Sequence, residues 1–280
     1  MTPRFRPLLA LAFAGLCAVL TAQTPAPDLA KNPAPVRAVL NPALPTLFVA
    51  GDSTAARGRG ETQQGWAVPF ADYFDLAKIN VANRARGGRS SRTFVTEGLW
   101  DQILADLKPG DLVLIQFGHN DASPVNEDES VPPSARRARG SIPGLGEETR
   151  EIDNIITKQH EVIHTFGWYL RKMIADTKAK GATPIVLNLT IRNAWKDGKI
   201  ERTSRFGKWS AETASAAGVA FFDLSAAVAD QFEKLGEEKT KALYPQDNTH
   251  FNARGADLHA ATVVAGLKQL PGHPVAKFLK

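Results

Sequence analysis

The 280-residue chain is 43% apolar and 22% charged, ordinary proportions that exclude a disordered protein and suit one large domain with an efficiently buried core. Its net charge of +5 comes with no basic stripe interleaved with aromatics, so nucleic acid is not an expected partner. The single cysteine, Cys17, excludes a disulfide framework and a thiolate metal site.

Arg4 and Arg6 precede an apolar run from Leu8 to Leu20, too short to span a bilayer comfortably and placed where a secretory signal stands. Cleavage is expected after Ala22. Leu16 occupies the place where a lipoprotein signal has a small residue before its cysteine, so the expected product is exported, soluble, monomeric and without a membrane anchor. Loss of residues 1–22 leaves 32 basic and 29 acidic residues, a net of +3 that suits an acidic substrate without demanding one. Residues 23–45 are rich in Pro and Ala and read as an extended linker. The folded domain is expected over 46–270, with 271–280 as a tail.

Within the domain, strands are predicted at Thr46–Ala50, Ile79–Ala82, Leu112–Phe117, Thr183–Leu189 and Val219–Asp223. Amphipathic helices are predicted near 65–76, 91–107, 160–180, 203–217, 224–235 and 253–268. Continuous apolar strands alternating with helices argue for a parallel α/β sheet covered on both faces, with its site beyond the carboxyl ends of the strands. Residues 122–159 form a long irregular stretch leaving that same edge, and a loop of such length inside a domain is usually functional or disordered.

The first strand breaks at once into Gly51, Asp52, Ser53 and Thr54, and the third ends on "GHND" (118–121). A serine nucleophile needs a base, a group that orients the base, and donors for the oxyanion. His250 in "YPQDNTHFNARGA" (244–256) is the candidate base, and Asp247, three residues earlier, its orienter. Asp223, at the end of the fifth strand, is the second candidate for that acid. Helix entry and capping would also explain Asp247 and Asn252. In "NRARGGRSSRTF" (83–94), Gly88 sits in a turn whose backbone N–H can face the site, and Asn120 offers an amide donor.

These stretches, in this order, resemble the SGNH (GDSL-type) hydrolases; "AGDSTAA", "GGRSSRTF" and "QFGHNDAS" are most similar to the rhamnogalacturonan acetylesterase branch. The resemblance runs from about residue 46 to 268 and implies a flavodoxin-like three-layer α/β sandwich with a five-stranded parallel sheet. It also implies a serine esterase acting on acetylated rhamnogalacturonan, without a cofactor or metal. Ser53 would attack, His250 would be the base oriented by Asp247, and Ser53, Gly88 and Asn120 would bind the oxyanion. Another acetylated glycan such as xylan, or a non-catalytic carbohydrate-binding relative, stays open as an alternative. Arg136, Arg137, Arg139 and Arg150 of the long loop, and Arg192 after the fourth strand, are candidate partners for uronic carboxylates.

A competing motif is "HEVIH" (160–164), which matches the H-E-x-x-H of zinc proteases. The next ligand position of the extended pattern holds Leu170, while Glu201 or Glu212 could still complete a ligand set. In the predicted helix the two histidines lie off the apolar stripe of Ile163, Phe166, Leu170 and Met173, beside Arg171 and Lys178. Cations there are poor company for Zn²⁺, so His160 is expected to line the substrate rim and bind no metal.

Overall fold

The computed structural model describes residues 39–202 and 204–280. The expected signal and residues 23–38 of the linker lie outside them. Strands β1 (Thr46–Gly51), β2 (Asn80–Asn83), β3 (Leu112–Gln116), β6 (Thr183–Leu187) and β9 (Ala220–Phe222) form one parallel sheet in the order β2-β1-β3-β6-β9, while β4 (Thr149–Asp153) pairs with β5 (His160–His164) and β7 (Trp195–Lys196) with β8 (Lys199–Ile200). This is the flavodoxin-like order, whose chain reversal lies between β1 and β3 and opens a crevice at their carboxyl ends.

The strands are apolar on both faces because each face carries a layer of helices. Leu47, Val49, Leu112, Leu114, Ile185 and Leu187 pack on one side. They meet Val228 and Phe232 of α5 (Leu224–Leu235) and Val263 and Leu267 of α7 (Ala253–Gln269). The intervening residues Phe48, Ala50, Val113, Ile115 and Val186 point the other way. That side is closed by α1 (Ser91–Thr96), α2 (Leu99–Asp106), α3 (Phe166–Ala179) and α4 (Arg205–Ala216), through Phe94, Trp100, Met173 and Phe206 among others. The short α6 (Glu237–Lys241) follows α5.

The five predicted strands are present with ends shifted by at most two residues. Three helical expectations are corrected. Over 65–76 only a 3₁₀ turn, Pro69–Tyr73, forms. The segment 91–107 is two helices, broken where Gly98 takes φ 71°. Most consequentially, residues 160–164 are not helical: His160–His164 is strand β5, antiparallel to β4 (Thr149–Asp153), and α3 begins only at Phe166 behind the N-cap Thr165. The Thr165 hydroxyl accepts from Trp168 N–H at 3.1 Å, which sets the helix start. The long 122–159 segment thus contains a strand of its own. The last residues, expected as a tail, pack onto the domain: Val275 and Phe278 are buried in the core, and Lys280 N–H bonds to Tyr73 C=O.

Candidate active site

Ser53 stands one residue beyond Asp52 in the tight turn that ends β1. The Asp52 carboxylate accepts from both the N–H and the hydroxyl of Thr54 at 2.8 Å. Its carbonyl accepts from the N–H groups of Ala55 and Ala56. The turn is therefore fixed from both sides, with Ser53 half-buried at its crest. Ser53 Oγ lies 2.8 Å from His250 Nε2, and His250 Nδ1 lies 2.7 Å from Asp247 Oδ2.

The other Asp247 oxygen accepts from the backbone N–H groups of Thr249 and His250, each at 2.7 Å. Burial works against the charge, but these hydrogen bonds and the imidazole together hold the Asp247 carboxyl below its ordinary value. Helix capping falls to Asn252, whose side chain accepts from Gly255 N–H and starts α7. Asp223 is occupied elsewhere: it caps α5 through Ala226 N–H and accepts from Asn188 at 2.6 Å.

The remaining polar residues surround this chain. Gly88 adopts φ 78°, a left-handed conformation that a side-chain-bearing residue rarely takes, so the turn after β2 depends on glycine there. Asn120 is buried at the end of β3 and gives one amide N–H to Arg89 C=O at 3.0 Å, tying the "GHND" turn to the Gly88 turn. An amide carries two N–H donors, and this bond uses one of them. Asn120→Ala is expected to lower kcat by about 10²–10³-fold with little loss of folding, the cost of one oxyanion donor. Steady-state kinetics beside a thermal melt checks this, and a folded, fully active variant removes Asn120 from the oxyanion hole.

Sequence reasoning missed Asp121. It is fully buried and accepts from Ser91 N–H, Ser91 Oγ and Ser141 Oγ, joining the start of α1 and the long insertion to the Asn120 turn. The polar tetrad "GHND" was the available signal, but nothing in it distinguishes a buried clasp from an exposed turn. Burial, offset in part by those hydrogen bonds, pushes the carboxyl from 3.8 up to about 6. Between those values the folded protein keeps a proton that the unfolded chain has released. This group's contribution to stability therefore declines as pH rises from about 4 to about 6. Asp121→Asn should remove that slope, read from urea unfolding at several pH values across the window. An unchanged slope would show that Asp121 does not titrate there.

The "HEVIH" residues do not form a metal site. On a strand, residues four apart are separated by about 13 Å, whereas a helix brings them onto one face. His160 and His164 project from one side of β5, and Glu161 from the other, where it pairs with the buried Arg92 at 2.8 Å. Among the described residues no group of three or more His, Cys, Asp and Glu side chains is placed to hold a metal ion. His160 is exposed at the end of the hairpin, bonded to Asp153 at 3.0 Å.

The loop arginines are largely turned onto the protein. Arg136 binds the carbonyls of Val131 and Glu129, and Arg137 those of Ala135 and Arg136. Arg139 reaches Ser123 Oγ and the carbonyl of Gly88. They hold the insertion in shape. Arg150 is exposed on β4, and Arg192 is exposed just past β6.

A serine–imidazole–carboxylate chain at the carboxyl edge of a β2-β1-β3-β6-β9 sheet defines a serine hydrolase site on a flavodoxin-like α/β fold. Residues 49–258 match the model of the GDSL-like Lipase/Acylhydrolase family, and the chain belongs to that family. It is 34% identical over 217 residues to a rhamnogalacturonan acetylesterase of Emericella nidulans, covering 77% of this chain and 81% of that one. A probable rhamnogalacturonan acetylesterase of Bacillus subtilis, YesY, is 30% identical over 80% of this chain and 93% of its own length. Among solved structures, the YxiM protein of Bacillus subtilis superposes with a TM-score of 0.64 at 26% identity, covering 81% of this chain and 57% of that one. An acetylxylan esterase of Geobacillus stearothermophilus, solved as a catalytic mutant, shares the fold with a TM-score of 0.51 at 18% identity, over 80% of this chain and 94% of that one.

Proposed function

We propose that this protein is a serine esterase that removes acetyl groups from acetylated rhamnogalacturonan, exported by way of its first 22 residues. The single observation that carries the chemistry is the hydrogen-bonded chain from Ser53 through His250 to Asp247. The substrate class rests on the two acetylesterase relatives, each matched over more than three quarters of this chain. Export rests on the apolar run from Leu8 to Leu20 behind Arg4 and Arg6.

In this reading Ser53 Oγ attacks the acetyl carbonyl carbon while His250 Nε2 takes its proton. Asp247 holds the imidazole in the tautomer that accepts at Nε2 and stabilises the imidazolium that forms. The oxyanion is met by the backbone N–H groups of Ser53 and Gly88 and by the Asn120 amide. His250 then returns the proton to the sugar oxygen as the carbon–oxygen bond breaks. A water molecule, deprotonated by the same imidazole, releases acetate from the acyl-serine. No step in this sequence calls for a cofactor.

Acetate release from acetylated rhamnogalacturonan, acetylated xylan and an aryl acetate tests the reading directly. The first polymer is expected to be the best of the two polysaccharides. Preference for xylan would change the substrate, and silence on all three would overturn the enzyme.

A further inference from the structure

Acetate is small and neutral, so an esterase choosing among acetylated polymers must read the sugars around the ester. Galacturonate residues offer a carboxylate for that purpose, and a guanidinium is its best-matched partner. Most guanidinium groups near the site are already engaged: Arg92 with Glu161, Arg89 with Glu97, and the loop arginines with protein carbonyls. Farther away, Arg202 pairs with Asp230 and Glu233.

Arg192 differs from all of these. Its backbone neighbours are clamped to the loop that carries Asp247 and His250: Ile191 C=O accepts from the Tyr244 hydroxyl at 3.1 Å, and Asn193 N–H donates to Asn248 C=O at 2.8 Å. Ala194 N–H closes back onto Arg192 C=O at 2.9 Å, so the bend itself is fixed. The side chain is exposed, and among the described residues none accepts a hydrogen bond from it or pairs with it. His119 lies within electrostatic reach of Arg192: burial lowers the proton affinity of its ring most, the Asp52 carboxylate opposes this, and the Arg192 charge lowers it further. His119 is in turn fixed by Thr190 Oγ1 at 3.0 Å, two residues before Arg192.

We propose that Arg192 is a specificity residue whose guanidinium pairs with a uronic carboxylate of the polysaccharide beside the ester held at Ser53. The assignment rests on the acetylesterase reading and names the chemical feature by which that site recognises its polymer. Fixing the backbone on both sides of Arg192 holds its segment against the loop that carries His250, and among the described residues its guanidinium has no protein partner to lose on binding. Arg136 and Arg137 turn inward onto loop carbonyls, and Arg150, though exposed, sits on the β4–β5 hairpin rather than on a segment bonded to the His250 loop.

The test compares acetylated rhamnogalacturonan with the same polymer after chemical reduction of its carboxylates, which leaves the acetyl esters on a neutral chain. The wild type should favour the acidic polymer by about tenfold or more in kcat/KM, the effect of one charge-assisted pair. In Arg192→Gln that ratio should fall close to one, mainly through KM on the acidic polymer, and Arg192→Lys should restore part of it. Equal losses on both polymers would show a structural role and overturn the assignment, as would an unchanged ratio. A wild type active on an aryl acetate but on neither polymer would sink the polysaccharide reading itself, and the assignment with it.

Discussion

Ser53→Ala is expected to reduce ester hydrolysis by at least about 10⁴-fold and to abolish labelling by an organophosphonate, while the protein still melts cooperatively. The hydroxyl is half-buried and, among the described residues, bonded only to His250, so its loss leaves the Asp52 turn, which Thr54, Ala55 and Ala56 hold independently. His250→Ala should be comparably severe, because a neutral hydroxyl is a weak nucleophile without a base. Asp247→Ala should be milder by about one to two orders of magnitude, since that carboxylate orients and stabilises the ring without handling the proton. Chelators should leave the rate unchanged. A zinc protease would invert the pattern, losing activity to chelation and tolerating Ser53→Ala. Kinetics with one ester substrate and one phosphonate probe separates the two outcomes.

Arg92→Ala should be strongly destabilising, because this α1 residue holds the long 122–159 segment and β5 in place. The Arg92 side chain is wholly buried, donates to Glu161 through Nε and Nη2, and gives Nη1 to the carbonyls of Val125 and Gly140. One guanidinium thus joins α1 to two points of the 122–159 segment, Val125 and Gly140, and to Glu161 of β5. Its removal leaves a mostly buried carboxylate and two carbonyls without their donor, a loss of about 3–5 kcal/mol. For a domain of this size that is a fall in Tm on the order of 6–20 °C. Glu161→Gln keeps the shape but drops the charge, so it should destabilise less and leave kcat near the wild-type value. A double-mutant cycle read by urea unfolding measures the coupling; additivity of the two changes would show that the pair is not a unit. The result also bears on the metalloprotease motif, since it gives Glu161 a structural role that needs no zinc.

What was legible in the sequence was what short-range chemistry dictates. Short apolar runs such as "LFVA" and "LVLI", closed by turn residues, read as strands buried on both faces, and their alternation with helices implies a parallel sheet with its crevice at the carboxyl ends. Ser53 and Asn120 could therefore be placed on one edge before any coordinates, because each directly follows such a run. Asp247 and His250 come from one loop, so a spacing of three was enough to suggest their contact.

The tertiary structure alone decided the rest. "HEVIH" satisfies both a helical and an extended pattern, and five residues of mixed polarity carry too little local preference to choose. Pairing with Thr149–Asp153 and the Arg92–Glu161 contact, 69 residues apart, settle it as a strand. The same holds for the arginines: composition shows a set of equivalent cations, but only the folded chain shows which ones find carbonyls and carboxylates. Arg136 and Arg137 bond to loop carbonyls, while among the described residues Arg192 has no such partner and its backbone neighbours are bound to the His250 loop. Local sequence sets which residues can do chemistry. Contacts between distant segments, which no window of sequence contains, set which of them remain available to do it.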